Sequence, residues 1–290
     1  MLPLFKGFSK MHIKLKPVLV LKFLLPAALL IGLTKPVFAN DIYVTAESPG
    51  VQQSSLYLNP TAYGATGVIQ NSFDTLSPQY YSTSIPFNGN AAIGIYSDGG
   101  IQRANQYGGA GGTSNYYTVA APFSTTTSTL TFSTPQRYFG FWLSALDANN
   151  HLAFYSNSTL VDQFTAQDVL NFINRQANAQ AYFGNPTSNF RGQDSWEPFA
   201  FLNFFVNPSN QNVTFNKIVF SNNNSRWTGF ESDNHTIAAS YKNMTGKPIA
   251  APFHPASALG MAIVSIGYIL QFLNARSQKS QCKPLAEITQ

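Results

Sequence analysis

Cysteine is nearly absent: the single thiol, Cys282, lies close to the C-terminus. That excludes a disulfide framework and a thiolate metal site in the rest of the chain. Charge is also scarce, at 10% of residues, and the net charge of +5 is unevenly placed. Residues 1–39 hold six lysines and no acid, and the last segment sets Arg276, Lys279 and Lys283 against Glu287. The stretch between them carries eleven acids and eight bases. The basic balance therefore belongs to the ends, and no Lys/Arg patch remains in the middle to meet a nucleic acid. A Gly-x-Ser-x-Gly nucleophile elbow and an internal repeat are missing as well. Without disulfides, stability has to come from packing, which 24 Phe, 14 Tyr and 3 Trp can supply.

The two ends read as targeting segments. A long basic region precedes Phe23 to Leu33, an uninterrupted apolar run, and Val37-Phe38-Ala39 ends in residues that suit a signal peptidase. The expectation is a signal peptide over 1–39, cut between Ala39 and Asn40. An uncleaved anchor is the alternative, but this run is short for about 30 Å of hydrocarbon. The second apolar stretch, 256–273, has no charge and is just long enough for a transmembrane helix. Residues 274–290 follow as a basic tail expected on the cytoplasmic side. An amphipathic core helix is the alternative for 256–273, opposed by that tail and by the Pro-rich linker 246–255.

Residues 40–245 alternate short apolar runs with Gly, Asn and Ser, the pattern of an antiparallel β-sandwich of jelly-roll type. From Arg137 to Leu143, Phe139, Phe141 and Leu143 share one face, while Tyr138, Gly140 and Trp142 share the other. The turn Asp147-Ala148-Asn149-Asn150 then predicts a hairpin over 137–156. Phe199 to Val206 reads as a central strand. A slip of the alternation at Asn216-Lys217 predicts a bulge, and Asn234 to Tyr241 a last strand. One short helix is predicted over about 166–175, opened by a capping-box-like Thr165-Ala166-Gln167-Asp168. Residues 106–116, glycine-rich but with no following helix or lysine, read as a flexible loop rather than a phosphate cradle.

Two stretches, YFGFWLSALDANNHLAFYSNSTLVDQFTAQDVLNF (138–172) and EPFAFLNFFV…VTFNKIVFSNNN…GFESDNHTIA (197–238), resemble cyanobacterial exosortase-dependent surface proteins of the PEP-CTERM type. That resemblance implies export, processing by an exosortase-like sorting enzyme, and a surface or matrix role. It implies no defined reaction. The family's sorting signal opens with Pro-Glu-Pro before the apolar helix. Here that position reads Phe253-His254-Pro255, so only the last proline is kept.

Several groups are candidates for chemistry. Glu231, Asp233 and His235 alternate, which puts all three on one face of an extended strand. There they suit a divalent metal or acid–base work, or simply a polar strand end. Asp147, Asn149 and Asn150 offer hard oxygens, as calcium sites do, or form a plain Asx turn beside His151. No resident cofactor is otherwise called for. Arg191, Asp194 and Glu197 lie around Trp196, whose ring suits stacking on a sugar; the alternative is a solvated loop with the ring tucked into the core. The first functional expectation is an exported, non-enzymatic structural or adhesive protein that binds extracellular polysaccharide, anchored by its C-terminal helix or released to the surface. The second is a secreted carbohydrate-active hydrolase using Glu231 with Asp233, or Asp194 with Glu197.

Overall fold

The structure, a computed structural model, describes residues 41–123, 125–223 and 228–249. The signal-peptide segment with its Ala39–Asn40 junction, the sorting remnant Phe253-His254-Pro255, the apolar segment 256–273 and the tail lie outside the described residues. Among the described residues no helix is long and apolar enough to cross a membrane.

The chain is mainly antiparallel β. In chain order the strands are β1 (Ile42–Ala46), β2 (Ile69–Asn71), β3 (Gln79–Tyr81), β4 (Ile85–Pro86), β5 (Gly94–Tyr96), β6 (Gly99–Arg103), β7 (Asn115–Ala120) and β8 (Thr127–Gln136). They continue with β9 (Tyr138–Ser144), β10 (Asn150–Ser156), β11 (Thr159–Thr165), β12 (Ala200–Val206), β13 (Phe215–Asn222), β14 (Gly229–Ala238) and β15 (Lys247–Ile249). A nine-stranded sheet runs β15-β1-β12-β9-β14-β7-β6-β3, with β2 also paired to β14. A six-stranded sheet runs β11-β10-β13-β8-β5-β4.

Both sheets contribute to one aromatic core. Phe139, Phe141 and Phe204 of the larger sheet meet Phe154, Phe215 and Phe220 of the smaller. Phe154 and Phe204 have ring centroids 5.1 Å apart, and Phe154 and Phe215 5.0 Å. Aromatic pairs of this kind are worth about 0.5–1.5 kcal/mol beyond their buried area. The nine-stranded sheet is covered on its other face too. Two single-turn helices, α1 (Ser55–Leu58) and α2 (Pro60–Tyr63), bring Leu56 and Tyr63 against Tyr138 and Phe205. Farther along, Val51 and Ala110 cover Trp142 and Phe199.

Several expectations hold. β12 is buried along its whole length and lies inside the larger sheet. The register of β13 against β8 shifts between Phe215 and Lys217, at the predicted bulge. The helix α3 (Ala166–Asn174) starts with the capping box: Asp168 Oδ2 accepts the Thr165 amide at 2.9 Å and its hydroxyl at 2.8 Å.

Others are corrected. β9 and β10 do not form a hairpin, because they lie in different sheets. β9 is apolar on both faces, so it sits between β12 and β14, and the turn at 147–150 crosses from one sheet to the other. The described residues hold three α-helical segments rather than one. The strand expected over 234–241 runs instead from Gly229 to Ala238, and it is not the last. Lys247-Pro248-Ile249, assigned to the linker, pairs with β1 as an edge strand.

Candidate functional site

The larger sheet's face away from the core carries a cavity of about 440 Å³ at the ends of β7, β9 and β14. Four carboxyl groups line it: Asp147, Asp194, Glu197 and Glu231. They come from three separate parts of the chain. Asp147 follows β9, Asp194 and Glu197 lie in the loop before β12, and Glu231 projects from β14. Gly229 makes room for this arrangement, since a Cβ there would collide with Glu231 Oε1. The Gly229 amide also donates to Asp147 Oδ2 at 3.0 Å.

Burial and crowding raise Asp147, Glu197 and Glu231. Burial raises Asp147 to about 6, against the hydrogen bond from Gly229. Glu197 rises to about 8, through burial first and then through its contacts with Asp194 and Asp147. Glu231, only 7% exposed, is pushed well above the carboxylate range by burial and by the negative charge of Asp147. Its Oε2, and Oδ2 of Asp194, have no hydrogen-bond partner among the described residues. Gln102, Asn105 and Thr228 add neutral polar groups to the wall.

One aromatic ring lines the cavity, and a second stands exposed in the loop that carries two of its carboxyls. Tyr107 lines the cavity and is 42% exposed, while Trp196, between Asp194 and Glu197 in the chain, is 85% exposed. The Trp196 ring is therefore not tucked into the core. The backbone is strained around the same cavity. Ala120, Ala145 and Asp194 have φ of 75°, 50° and 52°, a conformation that costs non-glycine residues free energy and gathers at functional sites.

The Glu231, Asp233 and His235 trio is split, which corrects the one-face expectation. Asn234 has φ 52°, and two residues, Asn234 and His235, stand opposite Phe141 alone, because the register of β14 against β9 shifts there. This bulge turns His235 inward. Its ring packs between Phe73 and Phe220, with centroids at 4.9 and 5.4 Å. Its nitrogens bond Tyr96 Oη and Ser232 Oγ, each at 2.9 Å. Burial lowers His235 to about 3, so it stays neutral and lies apart from the acidic cavity.

Asp233 faces outward but serves the glycine-rich loop. Its Oδ2 accepts the Ala110 amide at 2.8 Å and the Ser114 hydroxyl at 3.0 Å. The loop is tied down further where Asn189 Nδ2 donates to Gly112 O at 2.8 Å, so it is pinned rather than flexible. Burial raises Asp233 to about 8, against three hydrogen bonds that lower it.

The calcium triad is split in the same way. Asn150 is buried, and its Oδ1 accepts from Asn222 Nδ2 at 2.8 Å, while Asp147 turns to the cavity. His151 is half-buried against a small apolar cavity of about 20 Å³ beneath α3. Among the described residues, no three His, Cys, Asp or Glu side chains gather as metal ligands.

The sequence reading names all four carboxyls and pairs Asp194 with Glu197, which share the cavity, but it groups Glu231 with Asp233 and Asp147 with Asn149 and Asn150 instead of with them. It missed Gln102, Asn105 and Tyr107, for which the only signal was an amide and an aromatic ring at the edge of a glycine-rich loop. No family model matches this chain, and no curated protein matches it.

Proposed function

We propose that this chain is an exported, non-enzymatic surface or matrix protein, a jelly-roll-like β-sandwich that binds extracellular polysaccharide at the acidic cavity. The observation that carries the reading is the exposed Tyr107 in one wall with four carboxyl groups, together with the exposed Trp196 in the loop that supplies two of them. Aromatic faces give sugar rings an apolar surface, and carboxyls held protonated both donate to and accept from hydroxyls. Export rests on the basic leader and the C-terminal apolar segment, and on the resemblance to PEP-CTERM-type surface proteins. With its sorting motif reduced to Pro255, the chain stays anchored in the membrane by its C-terminal helix.

The full chain, purified in detergent, is to be applied to an array of neutral and charged oligosaccharides. Binding that falls in Trp196→Ala and Tyr107→Ala supports the reading, and an array without a bound glycan rejects it. Mass spectrometry of the protein from its native cell tests the anchoring. A mature form that starts at Asn40 and keeps the tail is expected, and one that ends near residue 255 would overturn the anchored state.

A hydrolase acting on matrix glycans is the second reading. It is favoured by the contrast between Asp147, which titrates near 6, and Glu231, which keeps its proton; such a split suits a base and an acid. Release of reducing ends from a bound polysaccharide, abolished in Glu231→Gln, would establish it. Turnover unchanged in Glu231→Gln and Glu197→Gln would end it.

A further inference from the structure

The glycine-rich loop between β6 and β7 has a cavity on each side. Asn105 and Tyr107 line the acidic one. Ala110, Gly111 and Ser114 line a second, of about 640 Å³. The walls of this second cavity have a different chemistry. Gln52, Gln53, Gln70 and Asn234 present carboxamides, and Ser72 and Ser114 present hydroxyls. Tyr57 stands at its margin, 40% exposed.

The walls exclude several ligand classes. Among the described residues no Lys or Arg lines the cavity, so an anion finds no counter-charge from them. Among the described residues Asp74 is the only carboxylate there, and its Oδ1 already accepts the Asn115 amide at 2.9 Å, which leaves little for a cation. An apolar ligand would bury too many amides without partners. What remains is an uncharged, polyhydroxylated ligand. Asn234 donates its Nδ2 to Gln52 O at 2.8 Å, and Gln52 Oε1 accepts the Gly111 amide at 2.6 Å, while the exposed Gln53 offers a donor and an acceptor side by side, as neighbouring sugar hydroxyls require. Gln70 spends its donor on Asn234 Oδ1 at 2.5 Å, and its Oε1 has no partner among the described residues.

We propose that this cavity is a second saccharide subsite, selective for neutral glycan, so that the two cavities take successive parts of one chain. The inference rests on the glycan-binding reading and extends it. β14 links the two places, with Glu231 in the first wall and Asn234 in the second. Three residues of strand, bulged at Asn234, span at most about 10 Å, within reach of a short oligosaccharide. Between them Asp233 fixes the dividing loop.

The test uses the full chain in detergent and neutral pentasaccharides of glucose, xylose and mannose, with binding read by calorimetry. Gln53→Ala and Tyr57→Ala alter exposed side chains, so the fold is expected to survive, which circular dichroism checks. Neutral pentasaccharide affinity that drops at least fivefold in both variants supports the subsite. Glycan binding that is lost in Trp196→Ala but unchanged in both of these overturns the second subsite and leaves the first reading standing. Binding of charged glycans only does the same. No glycan bound by the unaltered chain overturns both.

Discussion

Asp233 and Ala110 lie 123 residues apart and meet through a 2.8 Å hydrogen bond from the Ala110 amide to Asp233 Oδ2. The same oxygen takes the Ser114 hydroxyl at 3.0 Å, and Oδ1 takes the Asn234 amide at 2.6 Å. One carboxyl thus ties β14, its bulge and the glycine-rich loop together. Asp233→Ala strands the Ala110 and Asn234 amides, while the Ser114 hydroxyl keeps Ala110 O, and a loss of about 3 kcal/mol is expected. Denaturant unfolding measures it. Amide exchange over residues 108–114 should accelerate more than exchange in β12; equal acceleration in both would contradict a local pin.

Stability should peak at mildly acidic pH. His235 has its value lowered to about 3 from 6.5, so its contribution is full above about pH 6.5 and drains as pH falls toward 3. Raised carboxyls act in the opposite sense. Theirs is full below the ordinary carboxylate values and is lost as pH rises, through about 6 for Asp147 and about 8 for Glu197 and Asp233. Four raised carboxyls, Glu231 included, outweigh one imidazole. The urea midpoint should therefore be highest at about pH 4–5 and decline steadily to pH 8. A midpoint that climbs over pH 5 to 8 would refute this, and Asp233→Asn should flatten the decline.

His235 holds the core by shape and by two hydrogen bonds. His235→Ala empties a space among Phe73, Phe139 and Phe220 and should cost about 3–5 kcal/mol. His235→Phe refills much of that volume but strands the Tyr96 and Ser232 hydroxyls. Its expected cost is about 1–3 kcal/mol. Equal losses in the two variants would mean that the hydrogen bonds, not the packing, matter at this position.

Gly229 shapes the acidic cavity. Gly229→Ala keeps the amide that binds Asp147 but forces the Glu231 carboxyl aside. The melting temperature should shift by less than about 4 °C, while oligosaccharide affinity falls severalfold. If affinity holds while the protein melts much earlier, Glu231 supports the fold and not the site.

Local signals carried over well from sequence to structure. The Thr165–Asp168 capping box, the apolar run of β12 and the slip at Asn216 each depend on a few adjacent residues, and each is found in place. Failures came where distant segments decide. The alternation of β9 looks like half of a hairpin, yet Tyr138 and Trp142 on its second face are buried by α1, α2 and the glycine-rich loop. The Glu231, Asp233 and His235 trio obeys strict alternation on paper. A left-handed Asn234 breaks it, and nothing in the neighbouring residues announces that. Glu231 finds its carboxyl neighbours at 147, 194 and 197 only once β12, β9 and β14 have paired side by side in the larger sheet.

β15 places the end of the described chain beside its beginning, with Ile249 opposite Val44 and Lys247 opposite Ala46. Pro248 contributes no N–H to that pairing. A pull on the chain past Ile249, directed away from the sheet, loads these few bonds one after another, as a zipper opens, and not together in shear. The domain thus has a mechanical seam at this edge. Under load it would shed its final strand first, leaving β1 held to β12 over five residue pairs and both cavities intact.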